Sequence, residues 1–128
     1  MSSIMRDRFG IVLKPNDPVL VNVSWWAGYF MESVVLSQHS DSEILLQCKN
    51  SKVLISSSSI VSHRVLSKSQ PSINSVVLCN LMKLGRIEHC EKHMYRVRMI
   101  SSGDSMWCNH RSVVPIADNY IDYCVLVE

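Results

Sequence analysis

The sequence predicts an all-β protein built from two related small barrels in tandem, and three observations carry that expectation. Short apolar runs of strand length recur between Ser, Asn, Gly and Pro punctuation, and helix-period patterns are scarce. The order of runs in the first half returns in the second with a period of roughly fifty residues, the signature of a repeated unit. A chain of 128 residues, 47% of them hydrophobic, can fill one packed domain or two very small ones that share a core, which excludes a large multidomain enzyme.

Residues 1–17 form a lead-in that ends in the Asn16-Asp17-Pro18 turn. The first unit, 18–66, opens with alternating Val19, Val21 and Val23 and continues with an aromatic and β-branched run from Gly28 to Leu36. Gln38 to Ser42 is a polar turn, Glu43 to Cys48 a third strand, Lys49 to Lys52 a turn and Val53 to Ile55 a fourth strand. Four serines at 56–59 lead into a short segment, Ile60 to Leu66. Ser67 to Ser75, with Pro71 in its middle, reads as a linker. The second unit, 76–116, repeats the pattern: Val76 to Leu81, then Gly85 to Cys90, a turn at Glu91 to His93, and alternating Tyr95, Val97 and Met99 with Arg96 and Arg98 between them. Ser101 to Ser105 is a turn, and Met106 to Cys108 and Ser112 to Ile116 complete the meander. An extension, 117–128, is either a short helix or a last strand.

Charged residues make up 19% of the chain, thirteen Lys and Arg against eleven Asp and Glu, for a net charge of +2. The isoelectric point near 8.3 lies below the value of about 9 that marks a dedicated basic binder, so contact with DNA requires a local patch. Five cysteines, an odd number without a CxxC pair, point to a reducing interior rather than a secreted disulfide framework. No apolar segment follows the charged start, and no run approaches the roughly 18 residues of a membrane span. The expectation is a soluble intracellular protein with no membrane partner.

Trp25, Trp26, Tyr29 and Phe30 place four of nine aromatics within six residues. Such a cluster is either a core corner with one exposed indole or a recognition surface, because aromatic faces attract a methylated ammonium through the ring quadrupole. A cage also needs a carboxylate, for which Glu32, Asp41 and Glu43 are the nearby candidates. Lys83, Arg86, Lys92, Arg96, Arg98 and Arg111 fall within strands or turns of the second half, and Arg64 and Lys68 border the linker. Together they make either a solvated face or a phosphate-contacting surface beside which Tyr95 or Trp107 could stack on bases. His89, Cys90, His93, Cys108 and His110 carry donors that zinc prefers, at a spacing matching no established finger. With four glycines, no phosphate-cradling loop and no catalytic carboxylate pair, neither an enzyme nor a cofactor is expected.

Trp26-Ala27-Gly28-Tyr29-Phe30-Met31-Glu32-Ser33 resembles the Trp…Gly-Tyr-Phe stretch of a Tudor domain. Gly85-Arg86-Ile87, Tyr95, Met106-Trp107 and His110-Arg111-Ser112-Val113-Val114 are similar, in that order, to the second module of the tandem Tudor domains of DNA-damage checkpoint adaptors, the nuclear mediators that also carry BRCT repeats. The resemblance runs from about Val19 to Ile116. It implies two SH3-like barrels packed together, a nuclear location within a larger adaptor, and binding to a histone peptide that can carry methyl-lysine, to duplex DNA, or to both. The candidate peptide-binding set is Trp25, Trp26, Tyr29, Phe30 and Glu32; the basic residues of the second half give the competing DNA set, Lys83, Arg86, Arg96, Arg98 and Arg111. Met31 stands where the family cage has an aromatic, and the hairpin Leu46-Gln47-Cys48-Lys49-Asn50-Ser51 holds neither an aromatic nor an Asp. The alternative is an OB or SH3-like nucleic-acid-binding barrel without methyl-lysine recognition.

Adjacent residues of an extended strand face opposite sides, so one of Trp25 and Trp26 is expected outside and the other inside. Replacing the inner indole by Ala should cost about 3–5 kcal/mol in denaturant unfolding, while the outer one should lower ligand affinity with little loss of stability. Equal destabilisation by both changes would mark a plain core corner.

Overall fold

The computed structural model describes residues 4–22, 29–79 and 83–120. The architecture is all-β, as the sequence predicts. Two two-residue strands, β1 (Met5–Arg6) and β2 (Val12–Leu13), pair as a small antiparallel hairpin. The first five-stranded sheet follows: β3 (Pro18–Asn22), β4 (Phe30–Gln38), β5 (Glu43–Cys48), β6 (Ser51–Ser56) and β7 (Ile60–Ser62). The second comprises β8 (Val76–Cys79), β9 (Lys83–Cys90), β10 (Met94–Met99), β11 (Ser105–Asn109) and β12 (Val114–Pro115). Their spatial orders, β6-β5-β4-β3-β7 and β11-β10-β9-β8-β12, are the same topology written twice. Each fifth strand returns to the far side of the first, the closure that makes an SH3-like module.

The reversal into that fifth strand uses one device in both modules. A 3-10 turn spans Ser57–Ser59 in the first and His110–Ser112 in the second. The residue before each turn accepts from the N–H two positions on: Ser56 Oγ from Ser58 N at 3.4 Å and Asn109 Oδ1 from Arg111 N at 2.9 Å. Such side-chain oxygens satisfy a donor that a short turn leaves without a partner. The four serines at 56–59 are therefore a structural turn, and β6 begins at Ser51, two residues before the sequence-based start.

Curvature comes from the second strand of each module, where one residue is inserted against the third strand. In β4 the pairing steps from Val35 to Ser37 and leaves Leu36 without an opposite residue; in β9 it steps from Ile87 to His89 and leaves Glu88. A bulge of this kind bends the strand and re-aims a side chain. Gly85 serves the same corner, since a Cβ there would run into the Val97 side chain and the Arg98 carbonyl.

Three apolar clusters result. The first module encloses Val19, Val21, Val35, Ile44, Leu46, Ile55 and Ile60, and the second encloses Val77, Cys79, Ile87, Val97, Met99, Cys108 and Val113. Between them lies a shared layer of Phe9, Val61, Val65, Val76, Leu78, Leu84 and Ile116, with Phe30 and Tyr120 packed against it. All four residues of β8 are buried because Val76 and Leu78 enter this layer while Val77 and Cys79 face their own module. The chain crossing from one module to the other is tied down at both ends: Leu66 bridges Ile116, Ser67 N donates to Pro115 O at 3.0 Å, and Ala117 N donates to Val65 O at 2.8 Å.

The lead-in is part of this structure. Phe9 is buried in the shared layer, and Asp7 is buried beside it. Its Oδ1 accepts from Phe9 N and Ile11 N at 2.8 Å each, and its Oδ2 accepts from Ser62 N at 2.8 Å. Burial pushes the Asp7 carboxyl above its ordinary value, while these N–H groups and the Arg64 charge pull the other way. Asp7→Ala strands two buried donors, Phe9 N and Ser62 N, and the part-buried Ile11 N, at about 1–3 kcal/mol for an unsatisfied buried group. Equilibrium urea unfolding of that variant should show a loss of about 3 kcal/mol or more, and Leu78→Ala a loss of about 2–5 kcal/mol. An unchanged midpoint for Asp7→Ala would show that the lead-in does not hold the modules together.

Candidate functional site

The alternation over Tyr95 to Met99 sets the face of the second sheet. Val97 and Met99 are buried, and Arg96 and Arg98 stand exposed between them. Register extends the pattern sideways. Val76, Arg86, Arg98 and Ser105 form one cross-strand row, and His89, Arg96 and Trp107 form the next. The outer face is thus divided: its β8 side is covered by the shared layer, and its β9-β10-β11 side is open.

Glu88, the residue inserted at the bulge, lies between the rows. It accepts from Arg98 Nε at 2.6 Å and Ser105 Oγ at 2.8 Å, and pairs with Arg96 Nε at 3.3 Å. The Ser105 hydroxyl first, then the Arg98 guanidinium, hold its carboxyl below the usual range, so the clamp persists into mildly acid solution. A guanidinium offers five N–H donors in a fixed plane. Engagement through Nε orients Arg96 and Arg98 and leaves their terminal nitrogens as donors for an anion. Arg86 is held separately, donating to Asn74 O at 2.9 Å, and Lys83 is exposed on the same strand. Trp107, 47% exposed, meets the His89 ring edge to face at 5.9 Å, and His89 Nε2 lies 3.6 Å from Glu91 Oε1. Glu88, His89, Glu91, Arg96, Arg98 and Trp107 line an open cup of about 530 Å³.

Three of the five residues expected to contact DNA, Arg86, Arg96 and Arg98, therefore share the open face of β9 and β10, whereas Lys83 pairs with Cys79 and stands on the other face of β9. Arg111 is placed otherwise. Its guanidinium stands 5.9 Å from the Tyr29 ring centroid, bringing a cation of the second module over an aromatic of the first. Arg64 pairs with Asp17 at 3.2 Å.

The aromatic set is divided as well. Trp25 and Trp26, and with them the expectation of one inner and one outer indole, lie outside the described residues. Phe30 packs against the shared layer, and Met31, the next residue, packs into the core of the first module. Glu32 is exposed and lies 2.9 Å from His63 Nε2, with Oε2 facing the ring nitrogen. Asp41 is exposed and Glu43 half-buried at the far end of the sheet, where β4 turns into β5. The zinc-type donors disperse: His89 goes to Trp107, Cys90 is exposed, His93 and His110 pair with ring centroids 5.6 Å apart, and Cys108 is buried. The hydrogen bond with Cys79 pulls the Cys108 thiol down, and burial opposes it. Among the described residues no group of three or more His, Cys, Asp or Glu is placed to hold a metal ion.

Glu88 is the residue that sequence reasoning missed. Alternation from exposed Arg86 and buried Ile87 already places it on the outer face; what the sequence does not give is the register that sets that face beside Arg96 and Arg98. Removing its charge should liberate the patch. For the DNA contact that the sequence leads one to expect, Glu88→Gln should raise affinity for duplex several-fold and steepen the salt dependence by about one unit, since one phosphate contact corresponds to a slope of roughly 0.9. Fluorescence anisotropy across a salt series reads both quantities. A lower affinity in Glu88→Gln would show that the clamp's orienting role outweighs its neutralising one.

No protein-family model matches the chain, and no curated protein matches it. Two solved structures with which it aligns are the tandem Agenet domains 3–4 of ADCP1 and the AGD34 segment of AGDP1 from Arabidopsis thaliana. Each alignment has a TM-score of 0.44 and 9% identity over 86% of this chain, covering 84% of the first and 86% of the second. Neither score reaches 0.5, and the reading of the site rests on its own geometry.

Proposed function

We propose that the chain is a chromatin-binding interaction module, without catalysis of its own, that rests the open face of its second sheet on DNA phosphates within a larger nuclear adaptor. The observation that supports this most is the co-location of Arg86, Arg96 and Arg98 on one face of β9 and β10, with Glu88 and Glu91 as the carboxylates lining the adjoining cup. Phosphate contacts position a protein on the duplex without reading its sequence, so affinity should be modest and strongly salt-dependent.

A histone peptide is the second ligand of the proposal, carried by the Tudor-like stretch from Trp25 to Glu32. Phe30 has its packing partners in the shared layer, and Tyr29 already has a guanidinium above it. Methyl-lysine recognition by this chain would therefore fall to Trp25 and Trp26 with Tyr29, and Arg111 would compete with the methylated ammonium for the Tyr29 face. On the DNA surface Glu88 holds only the Nε side of Arg96 and Arg98.

A duplex titration run beside a methylated histone peptide array tests both branches. Changing Arg96 and Arg98 together to Gln should weaken duplex binding and flatten its logarithmic salt slope by about one to two units. Thermal stability should hardly move, because exposed ion pairs contribute about 0–1 kcal/mol. Full affinity with an unchanged slope in the double variant would reduce the patch to a solvated face. A peptide signal that ignores methylation would remove the methyl-lysine branch.

A further inference from the structure

We infer that the cup formed by Trp107, His89, Arg96 and Arg98 is a site for an unpaired nucleobase and its phosphate, so that the module favours DNA carrying a single-stranded segment over blunt duplex. The inference rests on the DNA reading above and sharpens it. Phosphate contact explains the arginines, but a duplex buries its base faces in the stack and makes no use of an exposed indole.

The geometry argues for a base in three ways. Trp107 is nearly half exposed on β11, at the end of its sheet, directly opposite Arg96. His89, two strands away, leans across β10 to meet it at 5.9 Å and 85°, which sets the plane of the indole before any ligand arrives. The two guanidiniums beside it are oriented by the same carboxylate, Glu88. A flat apolar surface adjoining oriented cations is what a nucleotide requires, a π-face for the base and donors for its phosphate. A methylated ammonium suits the cup poorly, because Arg96 and Arg98 repel it and Glu88 is already neutralised by them. An acidic peptide would use the arginines and leave Trp107 without a role.

Three probes of equal length separate the contributions: blunt duplex, duplex with a short single-stranded tail, and the same tail built from abasic sites. The abasic tail keeps the phosphates and removes the stacking surface. The intact tail should bind more tightly than the abasic one by roughly five- to a hundredfold, as stacking on one aromatic predicts. Trp107→Ala should abolish that ratio, Trp107→Phe should retain most of it, and circular dichroism should show both variants folded. Equal binding of intact and abasic tails to the unaltered protein would overturn the inference, as would a ratio that survives Trp107→Ala, or competition by polyglutamate as strong as that by the tailed strand. Salt-dependent duplex binding with no tail preference would remove the stacking site alone. A tail preference without duplex binding would uphold the cup and remove the duplex reading instead.

Discussion

Phe9, Val61, Val65, Val76, Leu78, Leu84 and Ile116 belong to the separate core of neither barrel, and the rest of the molecule is arranged around keeping them dry. Each module is too small to enclose much apolar area. The return strands and first strands therefore carry apolar side chains on both faces: Ile60 points into the first module while Val61 points at its neighbour, and Val77 and Leu78 divide in the same way. Burial of both faces explains why β8 is an unbroken apolar run while β10 alternates. It also decides which part of the second sheet is left for solvent, and so where a ligand can approach. Asp7 completes the seal by gathering three backbone N–H groups at the margin of the layer.

Both modules insert a residue in their second strand opposite their third, and the two insertions have been put to different ends. Leu36 adds a half-buried apolar side chain to the first sheet. Glu88 adds a carboxylate that two guanidiniums and a hydroxyl surround. The bend itself is required by curvature and tolerates many residue types, because the inserted side chain points away from the barrel interior. One module can thus acquire a charged site at this position while its twin does not.

Where residues alternate strictly, the structure follows the sequence closely. Glu43 to Cys48 and the Tyr95 to Met99 segment were legible because each inward side chain is apolar and each turn beside them is polar. The repeat of five strands was legible for the same reason. The hairpin of β1 and β2 was not: two-residue strands hold no period, and Phe9 stands among charged neighbours whose contacts lie more than fifty residues away, as the Asp7 to Ser62 bond illustrates. The aromatic cluster fits either a core corner or a recognition surface from sequence, because proximity along the chain cannot say that Phe30 and Met31 turn to different cores. Arg111 read as part of the basic patch because nothing local announces a ring in the other module. The Glu88 clamp depends on backbone register, which no residue type specifies.

The shared layer joins Phe9 to Ile116, residues widely separated in sequence. Loop closure over such a separation must precede the burial that rewards it. Neither sheet can complete its outer surface before the other exists, so the two modules should collapse in one kinetic event, slower than a lone barrel of either size would show. Emergence from the ribosome adds a further consequence. The first module waits with Val61, Val65 and Phe30 uncovered until Ile116 has been synthesised, and that interval is when the chain is most open to association with other copies of itself.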